Sequence, residues 1–106
     1  MHKKEDLKAA IKNFSGYPPK FCEVFNSLID ISTDYEVIVN AVFLCQNSNI
    51  KKSTFYFAIQ RFREDGLISK ELHKSSKIVF QKNKLDYYVK LLHNFNINIK
   101  NKKNTS

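Results

Sequence analysis

Between Lys51 and Arg61 the chain gathers side chains whose chemistry is recognition. Lys51-Lys52-Ser53-Thr54 sets two cations beside two hydroxyls, and Tyr56, Phe57, Gln60 and Arg61 add two rings, an amide and a guanidinium. Cations attract anionic oxygens, hydroxyls and amides donate and accept hydrogen bonds, and an aromatic ring takes up apolar groups. Within the same stretch Phe55, Ala58, Ile59 and Phe62 recur at i, i+3, i+4 and i+7, the spacing of a helix with one buried face. At about 100° per residue, Phe57 points away from that stripe, beside Ser53, Gln60 and Glu64, with Tyr56 on the flank. A large ring on a polar helix face needs a reason, either packing on the N-terminal helix or a second subunit, or contact with a ligand.

Groups that could transform a substrate are not arranged to do so. No nucleophile stands at motif spacing from a base, and two glycines cannot build a phosphate-cradling loop. Glu5-Asp6, Asp34 with Glu36, and Glu64-Asp65 read as caps, helix ends and solvated faces. An enzyme is therefore not expected. His2, His73 and His93 are scattered, and Cys22 and Cys45 sit in apolar helical patterns with no Cys or His at metal-ligand spacing. Neither a metal nor a cofactor is expected, and the thiols read as buried and reduced. The charged start MHKKEDLKAA does not resemble a signal peptide, and the longest apolar run, Val37 to Cys45, is too short for a bilayer and contains Asn40. The expected location is cytoplasmic.

Charge is unevenly placed. Residues 1–46 carry five Lys and six acids, net −1, whereas residues 47–106 carry eleven Lys and two Arg against four acids, net +9, which sums to the chain's +8. A basic half joined to a neutral half suits a polyanion-binding surface built by the second half.

The elements that must position these residues follow from period and punctuation. At 106 residues and 42% hydrophobic content the chain suits one domain, and two Gly and two Pro favour helices over turn-rich sheet. Leu7, Ala10, Ile11 and Phe14 make a short helix ending near Ser15-Gly16. Phe21, Val24, Phe25, Leu28 and Ile29 make a second over roughly residues 19–31, opened by Tyr17-Pro18-Pro19. Thr33 with Glu36 three residues on fits a capping box, so a third helix is expected over Tyr35–Gln46, apolar almost all round; its β-branched run leaves a strand as the alternative. The helix of the opening stretch closes at Gly66. Ile68 and Leu72, then Ile78 and Phe80, suggest a two-stranded hairpin with the basic tip Lys74-Ser75-Ser76-Lys77. A last helix spans about Lys84–Phe95, and the residues after it read as a basic, mobile tail.

Over Ile50–Ile68, IKKSTFYFAIQRFREDGLI, the chain resembles the winged helix-turn-helix regulators, MarR-like proteins among them. The small polar pair Ser53-Thr54, then Phe55, the pair Ala58-Ile59, Phe62 and the close Asp65-Gly66-Leu67-Ile68 carry the likeness. With flanking elements it covers roughly residues 19–95. Phe55 and Phe62 stand where Leu or Val is usual, Lys replaces the common Arg of the hairpin tip, and the helix before the turn lacks an Ala-rich face. The resemblance implies a mainly α fold with a small β-hairpin: about five helices and a two-stranded wing. Residues 1–16 would form an N-terminal helix, 17–95 the winged helix-turn-helix domain with its C-terminal helix, and 96–106 a flexible basic tail.

It also implies sequence-specific binding of double-stranded DNA, as a transcriptional regulator or as a plasmid or phage replication-initiation module. In such a fold the third helix enters the major groove. Phe57 would touch a thymine methyl, Gln60 would pair with adenine, and Ser53, Thr54, Tyr56 and Arg61 would reach bases or phosphates. Lys51 and Lys52 would hold phosphates at the helix entrance, and Lys74, Ser75, Ser76 and Lys77 would lie along the backbone or minor groove. Surplus apolar surface on the last helix (Tyr88, Leu91, Leu92 and Phe95) suggests a homodimer, with the Tyr35–Gln46 segment as the other candidate surface. A protein-binding adaptor is the alternative from a different class.

Overall fold

Three helices form where the 3.6-residue period places them. The computed structural model describes residues 2–69 and 77–104, with side chains through residue 97. Helix α1 spans Lys4–Phe14, α2 spans Pro19–Ile31 with Pro in its first turn, and α4 spans Lys52–Glu64. Their stripes are buried as spaced: Leu7, Ala10 and Ile11; Cys22, Val24, Phe25, Leu28 and Ile29; Phe55, Ala58, Ile59 and Phe62. Gly66 ends α4 at φ 74°, with Leu67 N–H bonding Phe62 O at 2.8 Å and Gly66 N–H bonding Arg63 O at 3.1 Å. Those two bonds make a Schellman close, sealed by the buried pair Leu67 and Phe62.

The segment Tyr35–Gln46 is not one helix. It divides into strand β1, Glu36–Ile38, and helix α3, Ala41–Ser48. Thr33 and Glu36 do pair, but as backbone partners across a two-residue turn, at 2.8 and 3.0 Å, and not as a capping box. Asp34 and Tyr35 take φ of 50° and 66° there, the left-handed pair that such hairpin turns require. Burial then alternates: Tyr35, Val37 and Val39 are inside while Glu36 and Ile38 are outside. The β-branched run follows the period of two. The helix starts only where Asn40 caps it, its side-chain oxygen accepting from Val42 N–H at 3.1 Å and Phe43 N–H at 3.2 Å.

Strand β2, Lys77–Val79, pairs antiparallel with β1, setting Val37 against Ile78. On its other side Ile68 bridges Phe80, with Ser69 N–H bonding Val79 O at 2.8 Å and Gln81 N–H bonding Leu67 O at 2.9 Å. The two chain segments of the expected hairpin thus meet, but β2 lies between Ile68 and β1, a neighbour the sequence did not announce. The remainder of the hairpin, with Leu72, lies outside the described residues.

One core joins these pieces. The Phe25 ring meets Phe62 of α4 at 6.4 Å and Phe80 of the sheet at 5.6 Å, both edge to face. Helix α5, Lys82–Asn104, outruns its expected end near Phe95. It lies beside α1, with His2 2.6 Å from Asp86, His93 3.9 Å from Asp6, and the Phe95 ring 6.0 Å from Phe14. These contacts advance together along both helices, so the two run in the same direction. Tyr88 and Leu92 are buried, and Leu91 is partly buried against the same core. The surplus apolar surface that suggested a subunit interface on α5 is largely taken up inside the chain; of the four residues only Phe95 stays half exposed.

Candidate nucleic-acid interface

Helices α3 and α4 are joined by the three-residue turn Asn49-Ile50-Lys51. Asn49 is left-handed (φ 58°, ψ 27°), Ile50 is buried, and Lys51 is extended at the N-cap of α4. A turn of three residues with one left-handed is the length and kind of connection that a helix-turn-helix uses. Asn49 supplies the conformation that glycine often does.

The start of α4 is open to an anion. Lys51 offers no oxygen for a cap and the first turn holds no acid. Phe55 N–H is the first to bond within the helix, to Lys51 O at 3.0 Å, so the amides of Lys52, Ser53 and Thr54 find no partner among the described residues. Free amides and the positive end of the helix dipole favour negative charge at that place. Lys51, Lys52 and Ser53 are exposed. Thr54, half buried, shares a cleft of about 110 Å³ with Lys20, Glu23, Asn49, Ile50 and Lys51. Lys20, about thirty residues upstream on another helix, gave no sign in the sequence of belonging here.

The outward face of α4 carries the rest. Phe57 is 63% exposed and Tyr56 53%, its ring resting edge-on against Phe55 at 5.5 Å. Phe57 therefore packs on neither α1 nor the core. Gln60 Nε2 donates to Glu64 Oε1 at 3.3 Å, and Arg61 Nε pairs with Asp65 Oδ2 at 3.0 Å, its guanidinium 5.8 Å from the Tyr17 ring. Exposed i,i+4 pairs of this kind contribute only about 0.3–0.5 kcal/mol, so an incoming phosphate or base can displace them.

Behind this face Tyr17 is buried against Phe62, with ring centroids 5.1 Å apart. Its hydroxyl lies beside the Asp65 carboxylate without completing a hydrogen bond. Burial and that carboxylate both raise its pKa above the ordinary phenol value. Burial likewise raises the Cys22 thiol, opposed by Lys12.

The expected hairpin tip is only partly visible. Lys74, Ser75 and Ser76 lie outside the described residues. Lys77 is not at a free tip: it is the first residue of β2, with Nζ 3.1 Å from Glu36 Oε2, so β1 already balances its charge. Among the described residues no group of three or more His, Cys, Asp or Glu could hold a metal ion, and no helix is long and apolar enough to cross a membrane. Comparison of the chain with protein-family models, with curated proteins and with solved structures found no match.

Proposed function

We propose that the chain is a winged helix-turn-helix protein that binds double-stranded DNA through α4, as a transcriptional regulator or a replication-initiation module. The observation that carries this reading is the outward face of α4, where Tyr56 and Phe57 stand open beside Gln60 and Arg61 on the second helix of a helix-turn-helix pair. The order α2, β1, α3, α4, then the strand segments at Ile68 and β2, then α5, supports the winged arrangement.

In this reading α4 lies in the major groove. Phosphates meet the free amides of its first turn together with Lys51 and Lys52. Phe57 packs on a thymine methyl, and Gln60 turns from Glu64 to an adenine edge. Arg61 exchanges Asp65 for a phosphate or a guanine. Nothing in this scheme requires a reacting group, a metal or a cofactor. The second half of the chain, at +9, supplies the long-range attraction.

The test is a titration on random-sequence duplex DNA at several salt concentrations. Binding by several cations makes log K fall steeply with log salt, by about 0.9 per phosphate contacted. No binding at about 50 mM salt, or an affinity indifferent to salt, would move the face of α4 to a protein partner.

A further inference from the structure

From Val37 to Ile50 the chain holds no Asp, Glu, Lys or Arg, the longest such run in a sequence that is 26% charged. Much of the run is at the surface. Ile38 is 72% exposed, Phe43 67% and Val42 49%. Ile38 ends β1, while Val42 and Phe43 stand in the first turn of α3, whose amides Asn40 caps. Their neighbours Val37, Val39 and Leu44 are buried, which fixes the segment and prevents the three from turning inward.

The main chain is open at the same place. Phe80 N–H bonds Tyr35 O at 2.8 Å, and the register sets Val37 against Ile78, so both pairs direct their amides and carbonyls toward β2. By the alternation of an antiparallel ladder, Glu36 and Ile38 direct theirs to the outer edge of β1. Thr33 answers Glu36 on that side; nothing among the described residues answers Ile38. Natural edge strands are usually blunted by charge, proline or a bulge. β1 is only three residues long and Glu36 is charged, but Ile38 itself brings neither charge nor proline to the edge.

We propose that this face, Ile38 with Val42 and Phe43, is where a second copy of the chain docks across a two-fold axis. Two molecules of net charge +8 repel wherever basic surfaces meet, whereas here Lys77, which stands opposite Ile38 in the ladder, is paired with Glu36, so the face carries no net charge and the two can approach. A two-fold contact must be complementary to itself. An apolar patch satisfies that condition, and so does an Ile38 amide and carbonyl facing their own symmetry mates. The three side chains expose roughly 300 Å² of apolar surface per copy, at the lower edge of the largest patches that monomeric proteins carry. With its polar rim the interface falls at the weak end of specific contacts.

Sedimentation equilibrium of the full chain over roughly 1–300 µM tests this. The expected result is a mass rising from 12.4 kDa toward twice that value. Raising the salt should leave the dimer intact or tighten it, because repulsion is screened while the contact carries no net charge. Phe43→Lys should remain monomeric, and Ile38→Thr with Phe43→Ser should weaken association at least about tenfold. Both variants should keep the wild-type circular dichroism and melting midpoint, since the altered side chains are exposed. A wild-type mass that stays at 12.4 kDa throughout overturns the proposal, and so does dimerisation of both variants at wild-type strength. The readout is mass alone, so the result stands apart from whether α4 binds DNA.

Discussion

Helices α2 and α4 have the same length, 13 residues, and each buries a stripe containing Phe against the other. Their outward faces differ. α2 shows solvent Glu23 and Asp30, with Asn26 and Ser27 half covered, the ordinary polar back of an amphipathic helix. α4 shows Lys52, Ser53, Tyr56, Phe57, Gln60 and Arg61. Two helices with the same folding task should carry similar backs if folding were the only demand. On the proposed reading, the difference separates what α4 needs for stability from what it would offer a partner.

Substitutions can test that separation, and the largest effect should come from the shared side. Phe62, fully buried against Tyr17, Phe21 and Phe25, should lose about 3–5 kcal/mol of stability as Phe62→Ala, read by urea unfolding. A loss under about 1 kcal/mol would mean that the two stripes do not form one core.

Next comes the start of α4. Lys51→Ala with Lys52→Ala should leave unfolding unchanged and reduce the slope of log K against log salt by about two on any duplex. An unaltered slope would remove the pair from the phosphate contacts.

Phe57→Ala sharpens the contrast between the two backs. It should weaken binding to a selected site about five- to tenfold, roughly 1 kcal/mol, while stability stays within about 0.5 kcal/mol. Ser27→Ala on α2, a residue that does not line the cleft at the start of α4, should change neither quantity to that extent. Equal effects from the two would erase the distinction.

The smallest effect at neutral pH is expected at Tyr17, which joins the chain before α2 to the back of α4. Its folded pKa is raised, so folded and unfolded chains are both protonated at neutral pH. Above about pH 10 the unfolded phenol ionises while the folded one keeps its proton, and stability falls by up to about 1.4 kcal/mol per pH unit. Tyr17→Phe should change neutral stability by less than about 1 kcal/mol, because the hydroxyl has no completed hydrogen bond to lose. It should also flatten the alkaline fall in unfolding midpoint. An equally steep fall in the variant would place the alkaline sensitivity elsewhere.

The legible parts of this molecule are those whose signal is local. α1, α2 and α4 each carry a stripe at 3.6-residue spacing, and the same spacing gave the outward direction of Phe57 before any coordinates. β1 stood only as the alternative to a helix because Val37-Ile38-Val39 belongs to an apolar run that suits both periods, and because Thr33 and Glu36 have the spacing of a capping box as well as that of a tight hairpin turn. What decides between them is β2, some forty residues away, and no local pattern reports that pairing. Lys20 reaches the cleft at α4 for the same non-local reason. The last helix was legible as a helix, but its apolar surplus could not be assigned until α1 was seen to cover it.

The pairing of α1 with α5 sets an order of events. α1 leaves the ribosome early and can lean on α2 at once, through Lys4 and Asp30 at 2.8 Å and the Lys8–Asp30 ion pair. Its other flank waits until residues 82–95 have been made. Closure of this fold is thus a contact between α1 and α5, the elements farthest apart in sequence among the described residues. A nascent chain halted before α5 would hold α3 and α4 but display an uncovered apolar flank. Synthesis of α5 and burial of that flank become one step.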